Sequence, residues 1–207
     1  MLKTTNNIQK KIQLILFTVC FIVISCNQQN ANEIFIVPTD TMPIYKTSNS
    51  NIPPPPPPNR AYYFPSNFIV DTEGEIFFYQ QQIKLNDDEV RNWNTPPQFI
   101  NLNPNDIVQV PVNSIEEFIK LNILNKDSLK RYVSIASEKD TINSIGLSKI
   151  IAICKDKKYS IRWKFRIATQ EETIVLNYKK QKQNYYPEKV KWDTTKILMP
   201  LAFTQNQ

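Results

Sequence analysis

Six consecutive prolines, Pro53 to Pro58, set the first limit on what this chain can fold into. Each ring fixes φ and removes a backbone donor, so the run fits neither a helix interior nor a central strand. It is expected to be polyproline II, rising roughly 3.1 Å per residue. Around it, Asn27 to Asn67 is dominated by Asn, Gln, Ser, Thr and Pro. Such a composition buries too little apolar surface to offset its ordering entropy, so residues 26–67 are expected to form a tether. About 40 residues of coil span roughly 35 Å r.m.s., with a taut limit above roughly 100 Å. A proline run can also be a ligand for an aromatic groove, but the spacer reading is preferred. Should this stretch pack against the domain after all, IFIV, Ile34 to Val37, is the part to do so, able to add a strand to the sheet edge. The folding unit is then 68–207, long enough for one ordinary domain.

Within that unit, NFIVDTEGEIFFYQ reads as a hairpin: Phe68 to Val70, a turn at Asp71-Thr72-Glu73-Gly74, then Glu75 to Tyr79. Gly74 supplies the positive φ that such turns need. Asn86 is placed to cap a short helix with Glu89 in the reciprocal position, and prolines then make loop as far as Pro111. Ser114-Ile115-Glu116-Glu117 has the spacing of a capping box, opening a helix with Ile115, Phe118 and Ile119 on one face and an end near Asn122. YVSIAS, Tyr132 to Ser137, has strand character. Beyond EKDTINS, Leu147, Ile150, Ile151 and Cys154 repeat at helical spacing, with Lys149 and Lys155 off that face. After a turn at Asp156-Lys157-Lys158, SIRWKFRI alternates strictly, with Ile161, Trp163, Phe165 and Ile167 on one side and Arg162, Lys164 and Arg166 on the other. TIVLNYK, Thr173 to Lys179, reads as one more strand. The expected class is α+β: a small mixed sheet with two or three helices packed on one face.

The N-terminus carries a different kind of signal. MLKTTNNIQKK holds Lys3, Lys10 and Lys11 and no acid, and IQLILFTVCFIVI, Ile12 to Ile24, follows it. A basic stretch before a short apolar run is the layout of a secretory signal, here residues 1–25. The competing reading is an uncleaved anchor, but spanning takes roughly 20 apolar residues, and this run is shorter and contains Gln13. Val23-Ile24-Ser25-Cys26 resembles the lipobox of bacterial lipoproteins. The resemblance implies lipidation of Cys26, with palmitate labelling, cleavage before it, and a chain held to a membrane of the cell envelope by acyl chains. Asn27 in place of aspartate resembles the outer-membrane sorting pattern, implying the periplasmic face of the outer membrane. Of the 3 cysteines, Cys20 would leave with the signal, and Cys154 in LSKIIAICK is read as a small buried hydrophobe.

The order strand, acidic turn, strand, helix, followed by VSIASEKDTINSIGLSKIIAICKDKKYSIRWKFRIAT, resembles the periplasmic domain of the ExbD/TolR biopolymer-transport family. Ser137-Glu138-Lys139-Asp140 stands where that family has a strand ending in acidic and basic residues before a helix and a returning strand. The likeness runs from about Phe68 to Thr169. Two departures bear on function: Ile12 to Ile24 lacks the family's intramembrane aspartate, and Thr95 to Pro111 is an insert. The resemblance thus implies the fold without proton coupling.

Charge is unevenly placed. Asp71 to Asp140 holds 12 acids against 7 bases, and Lys155 to Lys196 holds 5 acids against 12 bases. The candidate partner-binding residues are Arg162, Lys164 and Arg166, for an anionic envelope protein, cell-wall carboxylates or lipid headgroups. The plainer alternative is that they solvate the outer face of a strand. Nucleic acid is not expected as a partner outside the cytoplasm.

Catalytic signatures are few. With His 0, the Ser-His-Asp, Cys-His and ordinary zinc arrangements are excluded, and with Gly 2 no phosphate-cradling loop can be written. Asp71, Glu73 and Glu75 match only a fragment of a calcium loop and are read as a hairpin turn. Asp87, Asp88 and Glu89 suit the first turn of a helix. No metal, cofactor or catalytic residue is expected. The leading reading is a non-catalytic envelope lipoprotein binding another envelope component. The alternative is a cell-wall glycan hydrolase using two carboxylates, which can lie far apart in sequence. A small-molecule carrier or sensor is a third class, with no pocket signature in the sequence.

Overall fold

The structure, a computed structural model, describes residues 34–37, 62–81 and 96–200. In chain order its strands are β1 (Ile34–Ile36), β2 (Ser66–Val70), β3 (Ile76–Gln80), β4 (Val108–Gln109), β5 (Tyr132–Ser137), β6 (Thr141–Asn143) and β7 (Arg162–Ile167). The helices are α1 (Ile115–Ile119), α2 (Ile145–Lys155) and α3 (Gln170–Gln181). The expected signal at 1–25, Cys26, Pro53 to Pro58 and the helix capped by Asn86 lie outside the described residues.

Local chemistry sets the first hairpin. Asp71 Oδ1 accepts from the N–H groups of Glu73 at 2.9 Å and Glu75 at 2.8 Å, and Gly74 takes φ +83, a left-handed conformation that costs glycine little. β2 and β3 therefore pair antiparallel, with Phe68 opposite Phe78 and Val70 opposite Ile76. Two parallel ladders extend this pair, β2 with β5 and β5 with β7. Among the described residues the order is β4-β3-β2-β5-β7, with β1 and β6 forming a separate antiparallel pair. Parallel neighbours need crossover connections, and α1 and α2 lie within those between β2 and β5 and between β5 and β7.

The fold class is α+β, with a mixed sheet. Phe68, Val70, Ile76, Phe78, Val133 and Ile135 meet Ile115 and Ile119 of α1 and Leu147, Ile150, Ile151 and Cys154 of α2 in one apolar core. α2 begins where Ser144 accepts from the Leu147 N–H and donates to the Gly74 carbonyl at 2.7 Å, tying the helix start to the hairpin. α1 and α2 thus cover one face, as the sequence leads one to expect. Val175 and Leu176 of α3 pack on the other, against Ile69, Phe77, Tyr79 and Ala136, together with Leu102 and Ile107 of the long loop.

Three local expectations need correction. TIVLNYK is not a strand but part of α3. Thr169 and Glu172 form a complete capping box just ahead of Thr173, and the box starts a helix that overrides the strand preference of its β-branched residues. Ser114 makes no capping hydrogen bond, because its backbone is already helical within the turn Val112–Ser114 that Pro111 opens. α1 ends at Ile119 and continues as a single π turn, Lys120–Leu124. Arg131 receives that end, donating to the carbonyls of Leu124, Lys126 and Tyr159.

The domain boundary also moves. Tyr63 is buried and β2 starts at Ser66, so ordered packing begins before Phe68. β1 is ordered too: Phe35 packs on the apolar core and Val37 is part of it. Its partner is β6 and not an edge of the larger sheet. The stretch 26–67 is therefore not one continuous tether.

Candidate functional site

The alternation of β7 holds for Ile161, Trp163 and Phe165, whereas Ile167 at its end is exposed, and the register with β5 decides what each side chain meets. Arg162 lies opposite Tyr132, Lys164 opposite Ser134 and Arg166 opposite Ala136. Trp163 and Phe165 face the apolar core and are half-buried on this outer strand, their rings 5.5 Å apart. On the other side the cations lie over aromatic rings. The Arg162 guanidinium is 5.2 Å from the Tyr132 ring centre and donates to its hydroxyl. Lys164 Nζ is 4.5 Å from the ring of Phe64, and Arg166 is 5.3 Å from that of Tyr63. Cation–π contacts of this kind contribute roughly 0.5–1 kcal/mol when exposed.

Three exposed heads do not result. Arg162 is exposed, Lys164 is half-buried, and Arg166 is 4% exposed beneath α3. Arg166 Nη1 and Nη2 reach the Glu172 carboxylate at 2.5 and 2.6 Å, and Arg166 Nε donates to Ser134 Oγ at 2.8 Å. Glu172 accepts as well from the Tyr79 hydroxyl at 2.7 Å and the Thr169 N–H at 2.8 Å. Burial opposes the charge on Glu172, yet Arg166 and these donors hold its pKa below the ordinary glutamate value. The reason Arg166 differs from Arg162 is α3: a strand pattern tells which side a residue faces and not what covers it.

Beside this pair, Glu171 is also fully buried, with a different set of partners. Its carboxylate oxygens accept from the backbone N–H groups of Ile100 at 2.8 Å and Leu102 at 2.6 Å. Asn101 between them has φ +57, a left-handed turn that asparagine tolerates better than most residues. The result is a backbone nest holding a carboxylate. Burial pushes the Glu171 pKa up to about 7, against the pull of the backbone donors, and Glu172 adds to the rise. Neither Glu171 nor Glu172 stands out in the sequence beyond the capping-box spacing Thr169-x-x-Glu172, which is the one signal that could have found them.

The acidic hairpin turn has its own cation. Carboxylate oxygens of Asp71, Glu73 and Glu75 lie within 4.8 Å of one another, a spacing that could hold a metal ion. Lys180 Nζ from α3 reaches them at 2.6, 3.2 and 3.8 Å respectively, and the hydrogen bond to Asp71 chiefly raises the Lys180 pKa. Ser137-Glu138-Lys139-Asp140 joins β5 to β6 against the same turn, with Glu138 accepting from the Thr72 N–H. Burial raises the Glu138 pKa. Cys154 is buried and free, its thiol pushed up to about 12 by burial, so it is held as an unreactive thiol. Asp87, Asp88 and Glu89 lie outside the described residues.

The chain matches no family model, no curated protein sequence and no solved structure. Among the described residues no helix is long and apolar enough to cross a membrane.

Proposed function

We propose that this is a lipid-anchored envelope protein, held to the membrane through Cys26, whose α+β domain binds an anionic envelope component without catalysis. The observation that carries the binding half is Arg162, exposed over the ring of Tyr132 where β7 borders the sheet, with the half-buried Lys164 beside it over the ring of Phe64. Rings beneath cations fix their direction, which favours recognition of a shaped anionic partner over a diffuse charge contact. Arg166 is left out of the contact set because it is buried, bonded to Glu172. The anchoring half rests on Val23-Ile24-Ser25-Cys26 and the basic and apolar residues before it.

Among the described residues, two groups of acids favour the non-catalytic reading over the glycan hydrolase. Hydrolysis needs two acids facing a sugar across roughly 5–9.5 Å. Glu171 and Glu172 are engaged by backbone donors and by Arg166, and Asp71, Glu73 and Glu75 by Lys180. In this reading the element order from β2 to β7 is ExbD/TolR-like in topology and carries no proton-coupling step.

The test has two arms. Cys26→Ala is expected to lose palmitate labelling and membrane retention, and retained labelling sinks the anchor. Arg162→Gln with Lys164→Gln is expected to weaken capture of envelope components at low salt and to match wild type at high salt, since exposed charges are screened over roughly 8–10 Å. Equal capture by both proteins at both salt concentrations removes the pair from the site.

A further inference from the structure

The first described strand constrains where an acylated chain would hold this domain. β1 starts at Ile34, and the covalent chain from Cys26 to Ile34 cannot exceed roughly 28 Å even when fully drawn out. β1 is fixed to the domain at several points. Its residues pair with Thr141 to Asn143, the Val37 N–H donates to the Asp140 carbonyl at 2.7 Å, and the Phe35 ring lies 6.3 Å from that of Phe165. Residues 38–61 follow β1 in the chain, so the polyproline run is not in series with the anchor and adds nothing to its reach.

The same strand turns two large apolar side chains outward. Ile34 is 64% exposed and Ile36 77%, alternating with the inward Phe35. Their cross-strand partners Asn143 and Thr141 are exposed as well, and Ile145 at the start of α2 is 54% exposed. Ile34 and Ile36 thus share one outward strand face, a small apolar surface open to a partner.

We infer that the outer face of β1, with Ile34 and Ile36, rests on the lipid surface and orients the domain there. The inference rests on lipidation at Cys26. The short covalent path selects lipid as the occupant: the acyl anchor holds this strand within roughly 28 Å of the bilayer, the tightest covalent limit on any described element. The contact is apolar, so neutral lipid suffices and salt does not weaken it, unlike contacts through Arg162 and Lys164.

The experiment uses the full chain purified from membranes, with the acyl mass on Cys26 measured first. An environment-sensitive fluorophore is placed at Ile36→Cys or, as control, at Leu121→Cys, which is 64% exposed on the π turn after α1. Cys154 is buried and not labelled under native conditions. In phosphatidylcholine vesicles containing a lipid-borne quencher, position 36 is expected to be quenched severalfold more than position 121, equally at low and high salt. A long Gly-Ser insertion between Asn32 and Glu33 separates docking from mere proximity. Quenching that persists supports docking, and quenching that falls to the control level overturns it. Equal quenching at both positions in acylated protein overturns the inference and leaves the anchor standing. Shielding of position 36 from an aqueous quencher without lipid quenching assigns the face to a second copy and also overturns it. Absence of the acyl mass overturns the anchor and this inference together.

Discussion

The two faces of the sheet are buried by different chemistry. Toward α1 and α2, the sheet presents Phe68, Val70, Ile76, Phe78, Val133 and Ile135, an apolar set held by volume and shape. Toward α3, the sheet contributes Tyr79, Ser134 and Arg166, which meet Glu172 among Ile69, Phe77 and Leu176. An apolar face accepts a change in proportion to the volume altered. A desolvated ion pair adds little net stability when intact and costs much when one partner is removed, because the other is left charged and buried. One face of this domain is therefore graded in its response, and the other is close to all-or-none.

The largest effect on this contrast between the faces is expected from Glu172→Ala. It strands Arg166 and is expected to cost about 3–5 kcal/mol in denaturant unfolding, whereas Arg166→Met combined with Glu172→Leu should recover most of that loss. If the single and double variants are equally unstable, the pair is not coupled and the contrast fails. On the apolar face the corresponding probe is Gly146→Ala. A Cβ there would stand 2.6 Å from Ile76 Cγ1 and 3.3 Å from Ile115 Cδ1, so either Ile76 or the start of α2 must shift. The expected loss is roughly 1–2 kcal/mol, overpacking offset in part by alanine's helix preference. A gain in stability would show that this face yields easily.

The smallest effect is the most informative about sign. Glu171 has a folded pKa raised from 4.5 to about 7, so the stability it contributes is fully present below 4.5 and is lost as pH rises toward 7. Glu172, held below its ordinary value, contributes stability that is present above 4.5 and lost as pH falls through its folded pKa. Adjacent glutamates thus act in opposite pH windows. Glu171→Gln keeps one acceptor for two backbone donors and should cost about 1 kcal/mol near pH 5. It should also flatten the decline between pH 4.5 and 7. An unchanged slope in that window, followed by chemical unfolding at stepped pH, would remove Glu171 as its source.

How much of this was legible follows from how far each interaction reaches along the chain. The β2–β3 hairpin and the buried face of α2 depend on neighbours a few residues apart, and the pattern of NFIVDTEGEIFFYQ and of Leu147, Ile150, Ile151 and Cys154 displays them directly. α3 carried its start signal at Thr169 and Glu172, but Thr173, Ile174 and Val175 are β-branched and suggested a strand. Misreading that element hid the cover on the second face, and with it the burial of Arg166. Glu171 depends on N–H groups of Ile100 and Leu102, some 70 residues earlier, and periodicity holds no trace of such a pairing. IFIV stood out as apolar within a polar stretch, whereas its three-residue partner β6 is too short to announce itself.

The contact of Lys180 with Asp71 bears on the order in which the molecule can be completed. Asp71 is almost wholly enclosed, and its countercharge arrives 109 residues later in the chain. A ribosome delivers the first hairpin long before that lysine, so an early, isolated β2–β3 unit carries three acids and an uncovered apolar face. Lasting closure of the domain then waits for α3, which brings Lys180 to the turn and Glu172 to Arg166 in one step. Premature termination anywhere between β7 and Lys180 should yield a product that aggregates or is degraded, with most of the sheet already synthesised.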